Sequence, residues 1–124
     1  LNRPAVVLYI SDHGESFWDD SRKLSLHGSY QIAKAEFHVP MLIWYSDQYK
    51  ETYPLKVDCM EQNKDKWITS NAIFYSLLDI AGVKEVVDST QSICSNALQE
   101  VDSTWVFDGQ GQTHAVSLRQ LSAF

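Results

Sequence analysis

Two uninterrupted apolar runs stand out along the chain, one at residues 5–10 and the other at residues 41–45. The first is rich in valine and isoleucine and carries no charge, which is typical of a strand that is buried on both faces. We therefore predict a central strand of a parallel sheet at this position. The second run follows Pro40, which is expected at the start of its strand because proline cannot donate to a strand ladder.

The clearest helical pattern covers residues 72–81, where apolar side chains recur at i, i+1, i+4, i+5 and i+8. Gly82 follows directly and is a typical helix stop, while the polar residues 69–71 are suited to cap the start. We predict a packing role for this helix rather than a chemical one. The side chains expected to face the core are Ile73, Phe74, Leu77, Leu78 and Ala81.

The other segments are predicted from their helix formers and turn residues. They are a polar, irregular segment over residues 17–26 with a solvated run at 19–23, a short helix over residues 31–37, a polar helix over 48–52 capped by Ser46 and Asp47, an irregular stretch over 53–57, an irregular connector over 83–102, and a β-hairpin over 104–118. Strand-like and helix-like segments thus alternate along the chain, which predicts an α/β fold.

Composition narrows the class of protein. The chain has 124 residues, of which 44% are hydrophobic, and this is enough for the core of one domain. The formal net charge of −6 argues against a nucleic-acid-binding surface, and no basic run contradicts this. No apolar stretch approaches the roughly 18 residues of a membrane span. The chain starts almost on a buried strand without an initiator methionine, so we expect a fragment of a longer protein.

Cys59 and Cys94 leave three possibilities open. They pair with each other in an oxidising compartment, bond to partners outside the chain, or are buried thiols. No Cys-x-x-Cys spacing occurs in the sequence, so a thiolate zinc site is not expected.

The candidate chemistry lies in the loop after the first apolar run, where Ser11, Asp12, His13, Gly14 and Glu15 occur in succession. In open α/β sheets, ligand sites form just beyond the carboxyl ends of such strands. An aspartate and an adjacent imidazole each offer one donor to a divalent ion, and the glycine permits a sharp turn. The same residue types are ordinary turn formers, so the local sequence leaves a metal site and a plain turn as alternatives.

The other histidines have weaker signals. His27 lies 14 positions after His13, and a loop that closes on itself would bring both imidazoles into one pocket; the alternative is a histidine at the surface or core edge. His38 precedes the second strand, where a parallel sheet would keep it away from Asp12 and an antiparallel run or crossing loop would bring it near. For His38 the sequence favours a structural role over the alternative of a catalytic one, and we expect His114 to be an exposed strand residue.

Four segments in this order resemble the carboxyl-terminal part of the sulfatase-like phosphoethanolamine transferases, membrane-anchored enzymes of the alkaline phosphatase superfamily that modify lipid A. The most specific is Ser-Asp-His-Gly-Glu-Ser at residues 11–16, at the end of a strand. It is followed by Leu-His-Gly at 26–28, by His-Val-Pro and an apolar strand at 38–44, and by a helix and Gly-Val at 71–83. The resemblance covers residues 5–83 and is weaker beyond them.

The resemblance implies an α/β fold with a partial alkaline-phosphatase-like (sulfatase-like) sheet, flanking helices and a C-terminal β-hairpin. Residues 1–124 would then form the C-terminal portion of a single catalytic domain. Asp12 and His13 match the pair that holds a zinc ion beside the catalytic nucleophile. His27 matches a histidine associated with substrate phosphate or a second zinc. Glu15 is given a supporting role that orients His13 or its loop, and His38 matches a family position of unassigned role.

The implied reaction moves phosphoethanolamine from a phospholipid donor to a lipid A or glycan acceptor through a phosphothreonine, at the periplasmic face of a bacterial inner membrane. The threonine, the remaining zinc ligands, the membrane anchor and the rest of the catalytic domain are expected outside this chain. Catalytic zinc needs three protein ligands and Asp12 and His13 supply two, so we expect the chain alone to bind zinc poorly and to be inactive. The alternatives are a sulfatase or phosphoglycerol transferase of the same superfamily, or a non-catalytic folding unit.

Overall fold

The computed structural model of the chain describes residues 3–18, 21–28 and 33–117. The strands are β1 (Val6–Ile10), β2 (Ser16–Phe17), β3 (Ser25–Leu26), β4 (Met41–Tyr45), β5 (Ser103–Phe107) and β6 (Thr113–Ser117). The helices are α1 (Lys34–Phe37), α2 (Asp47–Thr52), α3 (Pro54–Asn63) and α4 (Asn71–Ile80), with a 3₁₀ turn at Ser89–Gln91. Within these described residues, no helix has the length and apolar character that crossing a membrane requires.

The strand β1 pairs with β4. The Ser46 N–H donates to the Ala5 carbonyl at 2.9 Å, so the beginning of β1 lies beside the end of β4, as in an antiparallel pair. Val7 and Tyr9 are 57% and 59% exposed, whereas their neighbours in β1 are half-buried. The prediction of a parallel strand buried on both faces was therefore wrong for this pair, because an apolar run reports hydrophobicity but neither the direction of a strand nor what covers it.

The other strand pairs are antiparallel hairpins. Strands β2 and β3 pair with Ser16 opposite Leu26, inside a segment expected to be irregular. Strands β5 and β6 pair from Ser103 opposite Ser117 to Phe107 opposite Thr113. This confirms the predicted C-terminal hairpin, of which residue 118 lies outside the described part of the chain.

Contacts group the chain into two compact units, one of residues 1–7 and 43–101 and the other of residues 8–42 and 102–124. The first unit contains α2, α3 and α4, and the second contains α1 and both hairpins. The buried apolar side chains of the first unit are Tyr49, Val57, Met60, Ala72, Ile93, Cys94 and Leu98.

Two local features explain where helices α2 and α3 begin. Ser46 Oγ accepts a hydrogen bond from the Tyr49 N–H and caps α2, as predicted. Residues 53–57, in contrast, are largely helical rather than irregular. Pro54 occupies the first turn of α3, where its missing N–H costs no intrahelical hydrogen bond, so the proline starts a helix here instead of breaking one.

Two weaker predictions are also met. The helix expected over residues 31–37 is observed as the single turn α1, with residues 31 and 32 outside the described part of the chain. The connector expected over residues 83–102 is irregular apart from its 3₁₀ turn.

Helix α4 is present where its periodicity predicts it, but its buried face is different. Gly82 follows it with a φ of 82°, a conformation that glycine adopts without strain. The buried positions are Ala72 and Ser76. Phe74 and Leu77, which were expected in the core, are 60% and 48% exposed. The spacing of apolar residues thus defines a helix without stating which face the neighbouring segments cover.

Polar contacts attach α4 to the segment that follows it. Ser76 Oγ accepts from the Ile93 N–H at 3.1 Å, and Ser92 Oγ donates to Asp79 Oδ2 at 2.7 Å. Asp79 also pairs with Lys56 of α3, with 3.0 Å between Lys56 Nζ and Asp79 Oδ1. Because both serines are fully buried, these hydrogen bonds offset the cost of removing their hydroxyls from water.

Candidate metal centre

The loop after β1 orients the His13 ring through its own backbone. His13 Nδ1 lies 2.8 Å from the Gly14 carbonyl oxygen, and because a carbonyl only accepts, Nδ1 is the donor. Ser11 Oγ donates to the His13 carbonyl at 2.7 Å and tightens the same turn. The Nε2 atom of neutral His13 therefore carries the electron pair that is available to a metal ion.

A second loop brings His27 against His13. The two rings stack with their centroids 3.9 Å apart and an interplanar angle of 28°. His27 Nδ1 lies 3.1 Å from Glu15 Oε2, and since a carboxylate accepts, His27 is the donor. The side chains of His27 and Glu15 are 51% and 32% exposed, so the pair remains accessible to a ligand. The structure thus brings together the two imidazoles that the sequence places 14 positions apart.

These side chains form a group with metal-ligand spacing. Among the described residues, the ligand atoms of His13, Glu15 and His27 lie within 4.8 Å of one another. Asp12 stands beside this group rather than within it. Its side chain is 89% exposed, and 3.8 Å separate Asp12 Oδ2 from His13 Nε2. Two imidazoles and a carboxylate are a donor set that suits a divalent metal ion.

The electrostatics of the group favour a cation. The hydrogen bond to the Gly14 carbonyl raises the pKa of His13, and the carboxylates of Asp12 and Glu15 act in the same direction. Glu15 was expected to orient His13 or its loop, whereas its hydrogen bond is made with His27. Glu15 therefore has two chemical options, as a ligand and as the acceptor that fixes the His27 ring.

His38 is the residue at which α1 ends. Its backbone N–H donates to the Lys34 carbonyl at 2.8 Å at the end of α1. Partial burial lowers the pKa of His38, and the charge of Lys34 adds to this effect. Because β1 and β4 pair as antiparallel strands, the residues just before β4 lie at the same end of the sheet as the loop after β1. His38 is nevertheless not one of the three residues that form the group.

Gly14 is required by close packing rather than by a sharp turn. A Cβ added at Gly14 would lie 1.8 Å from the Ala35 carbonyl oxygen, which no side chain tolerates. The Gly14 N–H donates to the Glu36 carbonyl at 2.9 Å. A positive φ is found at Gly28 instead, at 74°. The loop that carries His13 thus lies directly against α1.

A buried ion pair lies next to both loops and was missed in the sequence. Glu36 is 2% exposed, and its Oε1 atom lies 2.9 Å from Arg22 Nη1. Ser16 Oγ donates to the same oxygen at 2.9 Å. Glu36 resembles any helix former on the surface, and Arg22 lies in a polar segment expected to be solvated. No local signal distinguishes a buried carboxylate from an exposed one.

The C-terminal hairpin carries a second pair of histidine and carboxylate. His114 Nε2 lies 2.8 Å from Asp108 Oδ2, and Asp108 Oδ1 accepts from the N–H groups of Gln110 and Gln112. His114 is half-buried, not the exposed strand residue that the sequence suggested. The turn packs beside the His27 loop, since a Cβ on Gly28 would lie 3.9 Å from the Gly109 Cα.

Comparison with known proteins identifies the family to which this chain belongs. A family model described as Sulfatase matches residues 1–83, which is more than half of the chain. The chain therefore belongs to the sulfatase family. Its mixed helices and strands, small sheets and C-terminal hairpin agree with the predicted partial sulfatase-like α/β fold.

The similar proteins described below are all named as phosphoethanolamine transferases. Phosphoethanolamine transferase EptA of Escherichia coli K12 is 35% identical over 81 residues, which cover 63% of this chain and 14% of that protein. EptA of Helicobacter pylori is 31% identical over 80 residues, with the same coverage of 63% and 14%. Kdo(2)-lipid A phosphoethanolamine 7''-transferase of E. coli K12 is 42% identical over 52 residues, which are 40% of this chain and 9% of that protein.

These relatives confirm the resemblance to phosphoethanolamine transferases that the motifs predicted. The chain spans 14% or less of the length of each of them. No solved structure matches the chain.

Proposed function

We propose that residues 1–124 are the C-terminal part of the catalytic domain of a zinc-dependent phosphoethanolamine transferase. The complete protein would move phosphoethanolamine from a phospholipid to a lipid A or glycan acceptor at the periplasmic face of a bacterial inner membrane. The names of the relatives support the reaction class. The proposal rests on one observation, the group of possible metal ligands formed by His13, Glu15 and His27. All three residues lie within the part of the chain that the family model matches.

Zinc is the metal that this donor set favours. Zinc accepts imidazole nitrogen and carboxylate oxygen, and a catalytic site keeps one position open for substrate. His13 and His27 would present Nε2, because both Nδ1 atoms are used as hydrogen-bond donors. Asp12, close to His13 Nε2, would complete the ligand set together with residues outside this chain. When bound, zinc supplies a positive charge that polarises a phosphate and lowers the pKa of a hydroxyl nucleophile.

The chain's own residues then have distinct tasks. The Gly14 carbonyl holds His13 in one ring orientation, and the Glu15 carboxylate does the same for His27. In its neutral form His27 offers Nε2 as a ligand. In its protonated form, balanced by Glu15, it donates from Nε2 to a phosphoryl oxygen of the substrate. The nucleophilic threonine that the resemblance implies would come from outside residues 1–124.

The experiment that tests this function measures transfer of labelled phosphoethanolamine from phosphatidylethanolamine to lipid A by the full-length protein that carries residues 1–124. Asp12→Ala and His13→Ala are each expected to abolish transfer while the fold, followed by circular dichroism, is retained. Asp58→Ala is the matched control, because Asp58 is an exposed aspartate on α3. Transfer that survives both loop substitutions would refute the proposal. Hydrolysis of sulfate esters or transfer of phosphoglycerol, in place of this activity, would assign the protein to a sibling class.

A further inference from the structure

We infer that Glu36 is a positioning residue that holds the two loops of the metal centre in register. The inference rests on the proposed function for its metal. Three residues of the site, His13, Glu15 and His27, are each followed in the chain by a residue that bonds to Glu36. Those followers are Gly14, Ser16 and Gly28.

Each atom that Glu36 can offer as an acceptor has a role in this arrangement. Its backbone carbonyl accepts from the Gly14 N–H at 2.9 Å. Its Oε1 accepts from Ser16 Oγ at 2.9 Å, and its Oε2 accepts from the Gly28 N–H at 3.1 Å. Glu36 thus binds the His13 loop through its backbone carbonyl and Oε1, and the His27 loop through Oε2. The two loops are therefore connected through one residue.

The charge of Glu36 is balanced within the same cluster. Its side chain is 1% exposed and pairs with Arg22, whose side chain is 8% exposed, with 2.9 Å between Oε1 and Nη1. Arg22 Nη2 also donates to Ser16 Oγ at 2.5 Å. A buried carboxylate without such a partner is strongly unfavourable, so the ion pair with Arg22 holds the Glu36 side chain in place. Neither Glu36 nor Arg22 belongs to the group of ligand atoms, which separates them from the metal ligands.

The chain offers a matched control for a general effect on stability. In the other compact unit, Asp79 accepts from buried Ser92 at 2.7 Å and pairs with Lys56 at 3.0 Å. Asp79 therefore repeats the chemistry of Glu36, since it is a carboxylate bonded to a buried serine and to a cation. Neither of these two partners, Ser92 and Lys56, belongs to the loops that carry His13 and His27. Substitution of Asp79 thus perturbs a comparable ion pair in the other compact unit.

The test compares Glu36→Gln with Asp79→Asn in the full-length protein, using three readouts. They are the zinc dissociation constant, the visible absorption of the cobalt(II)-substituted protein, and hydrogen exchange by mass spectrometry of metal-free peptides over residues 11–16 and 26–28. Glu36→Gln is expected to weaken zinc binding about 10- to 100-fold, the usual effect of losing a group that orients ligands. It should also change the cobalt spectrum and speed exchange in both peptides. Asp79→Asn should leave all three readouts at the level of the unsubstituted protein.

Two results of the exchange and cobalt measurements would each overturn the inference. One is a Glu36→Gln protein with unchanged exchange and cobalt spectrum, and the other is an Asp79→Asn protein that changes them equally. If Glu36→Gln does not fold, Ser16→Ala takes its place, since it removes one bond to Glu36 and keeps the ion pair; Ser92→Ala is then the control. Faster exchange at residues 26–28 in Ser16→Ala, but not in Ser92→Ala, supports the inference. Equal exchange rates at these residues in the two serine variants would overturn it.

The same data separate this inference from the proposed function. If the unsubstituted protein binds no zinc, the proposed function fails, and exchange of the metal-free peptides still decides the role of Glu36. If the unsubstituted protein binds zinc and Glu36→Gln binds it equally well, the proposed function stands and the inference fails.

Discussion

His27 Nδ1 lies 3.1 Å from Glu15 Oε2, which makes the Glu15 carboxylate the group that selects the ring orientation of His27. We expect Glu15→Gln to weaken zinc binding by about 10- to 100-fold in the full-length protein, because the neutral amide holds the ring less firmly and removes negative charge from the site. Titration of the metal-free protein with zinc measures this. Glu85→Gln, at an exposed glutamate remote in the sequence, is the control. Equal zinc affinity of Glu15→Gln and the control would contradict the expected role.

Gly14→Ala tests the close packing of the His13 loop on α1. Its Cβ would lie 1.8 Å from the Ala35 carbonyl oxygen, so the loop must move away from α1. Overpacking of this kind costs about 1–3 kcal/mol. We expect a lower midpoint of urea unfolding together with a loss of zinc binding.

Gly82→Ala is the matched control for this glycine. Gly82 has a φ of 82° and nothing within 4 Å of an added Cβ, so alanine there causes backbone strain without a clash. Zinc binding should survive in Gly82→Ala even where its stability falls. Loss of zinc binding in both variants would show that the site responds to global stability rather than to the position of the loop.

Candidate site residues could be named from the sequence where they belong to a short motif. Asp12, His13 and His27 stand in Ser-Asp-His-Gly and Leu-His-Gly, and the structure places the two histidines in contact. Glu36 and Arg22 were not predictable, because their roles arise from burial against residues far away in the chain. Asp12 shows that a motif does not determine where a side chain lies. The motif favours Asp12 as a ligand, whereas here its side chain is exposed at the edge of the group.

The fold shows a similar division. Local chemistry fixed the Ser46 cap of α2, the Gly82 stop of α4 and the C-terminal hairpin, since each depends on residues a few positions apart. Burial was harder to predict, because it depends on what the rest of the chain covers. The apolar side chains of Phe74 and Leu77 therefore gave a correct helix and an incorrect core face.

Cys59 and Cys94 are both free thiols, and they differ in burial, since Cys59 is half-buried and Cys94 is buried. Burial raises the pKa of the Cys94 thiol to about 12, with the charge of Asp79 acting in the same direction. At pH 8 only about one Cys94 in 10⁴ is then a thiolate, and the thiolate is the reacting species. We expect Ellman's reagent to modify half-buried Cys59 first and Cys94 only after unfolding. In Cys59→Ala the reagent reports on Cys94 by itself. Rapid modification of Cys94 in this folded variant would contradict the expected order.

The Asp108–His114 pair predicts how acid affects the C-terminal hairpin. The hydrogen bond from His114 lowers the pKa of Asp108 below its ordinary value of 3.8, and the N–H groups of Gln112 and Gln110 add to this. The folded state therefore binds the Asp108 proton less readily than the unfolded state does. The resulting stabilisation is fully present above the unfolded pKa of 3.8 and is lost as the pH falls through the lower pKa of the folded state.

We therefore expect Asp108→Asn to be less stable than the unsubstituted chain at pH 5, and the difference to shrink as the pH is lowered below 4. Urea unfolding followed by tryptophan fluorescence at several pH values measures it, since Trp105 lies in β5 of the same hairpin. Asp88→Asn is a useful comparison because hydrogen bonds from Thr90 and Gln91 also lower the pKa of Asp88, in the other compact unit. Hydrogen exchange should assign the acid effect to residues 103–117 in Asp108→Asn and to residues 88–91 in Asp88→Asn. A stability difference for Asp108→Asn that is the same at pH 3 and pH 5 would mean that the carboxylate is not what holds the turn.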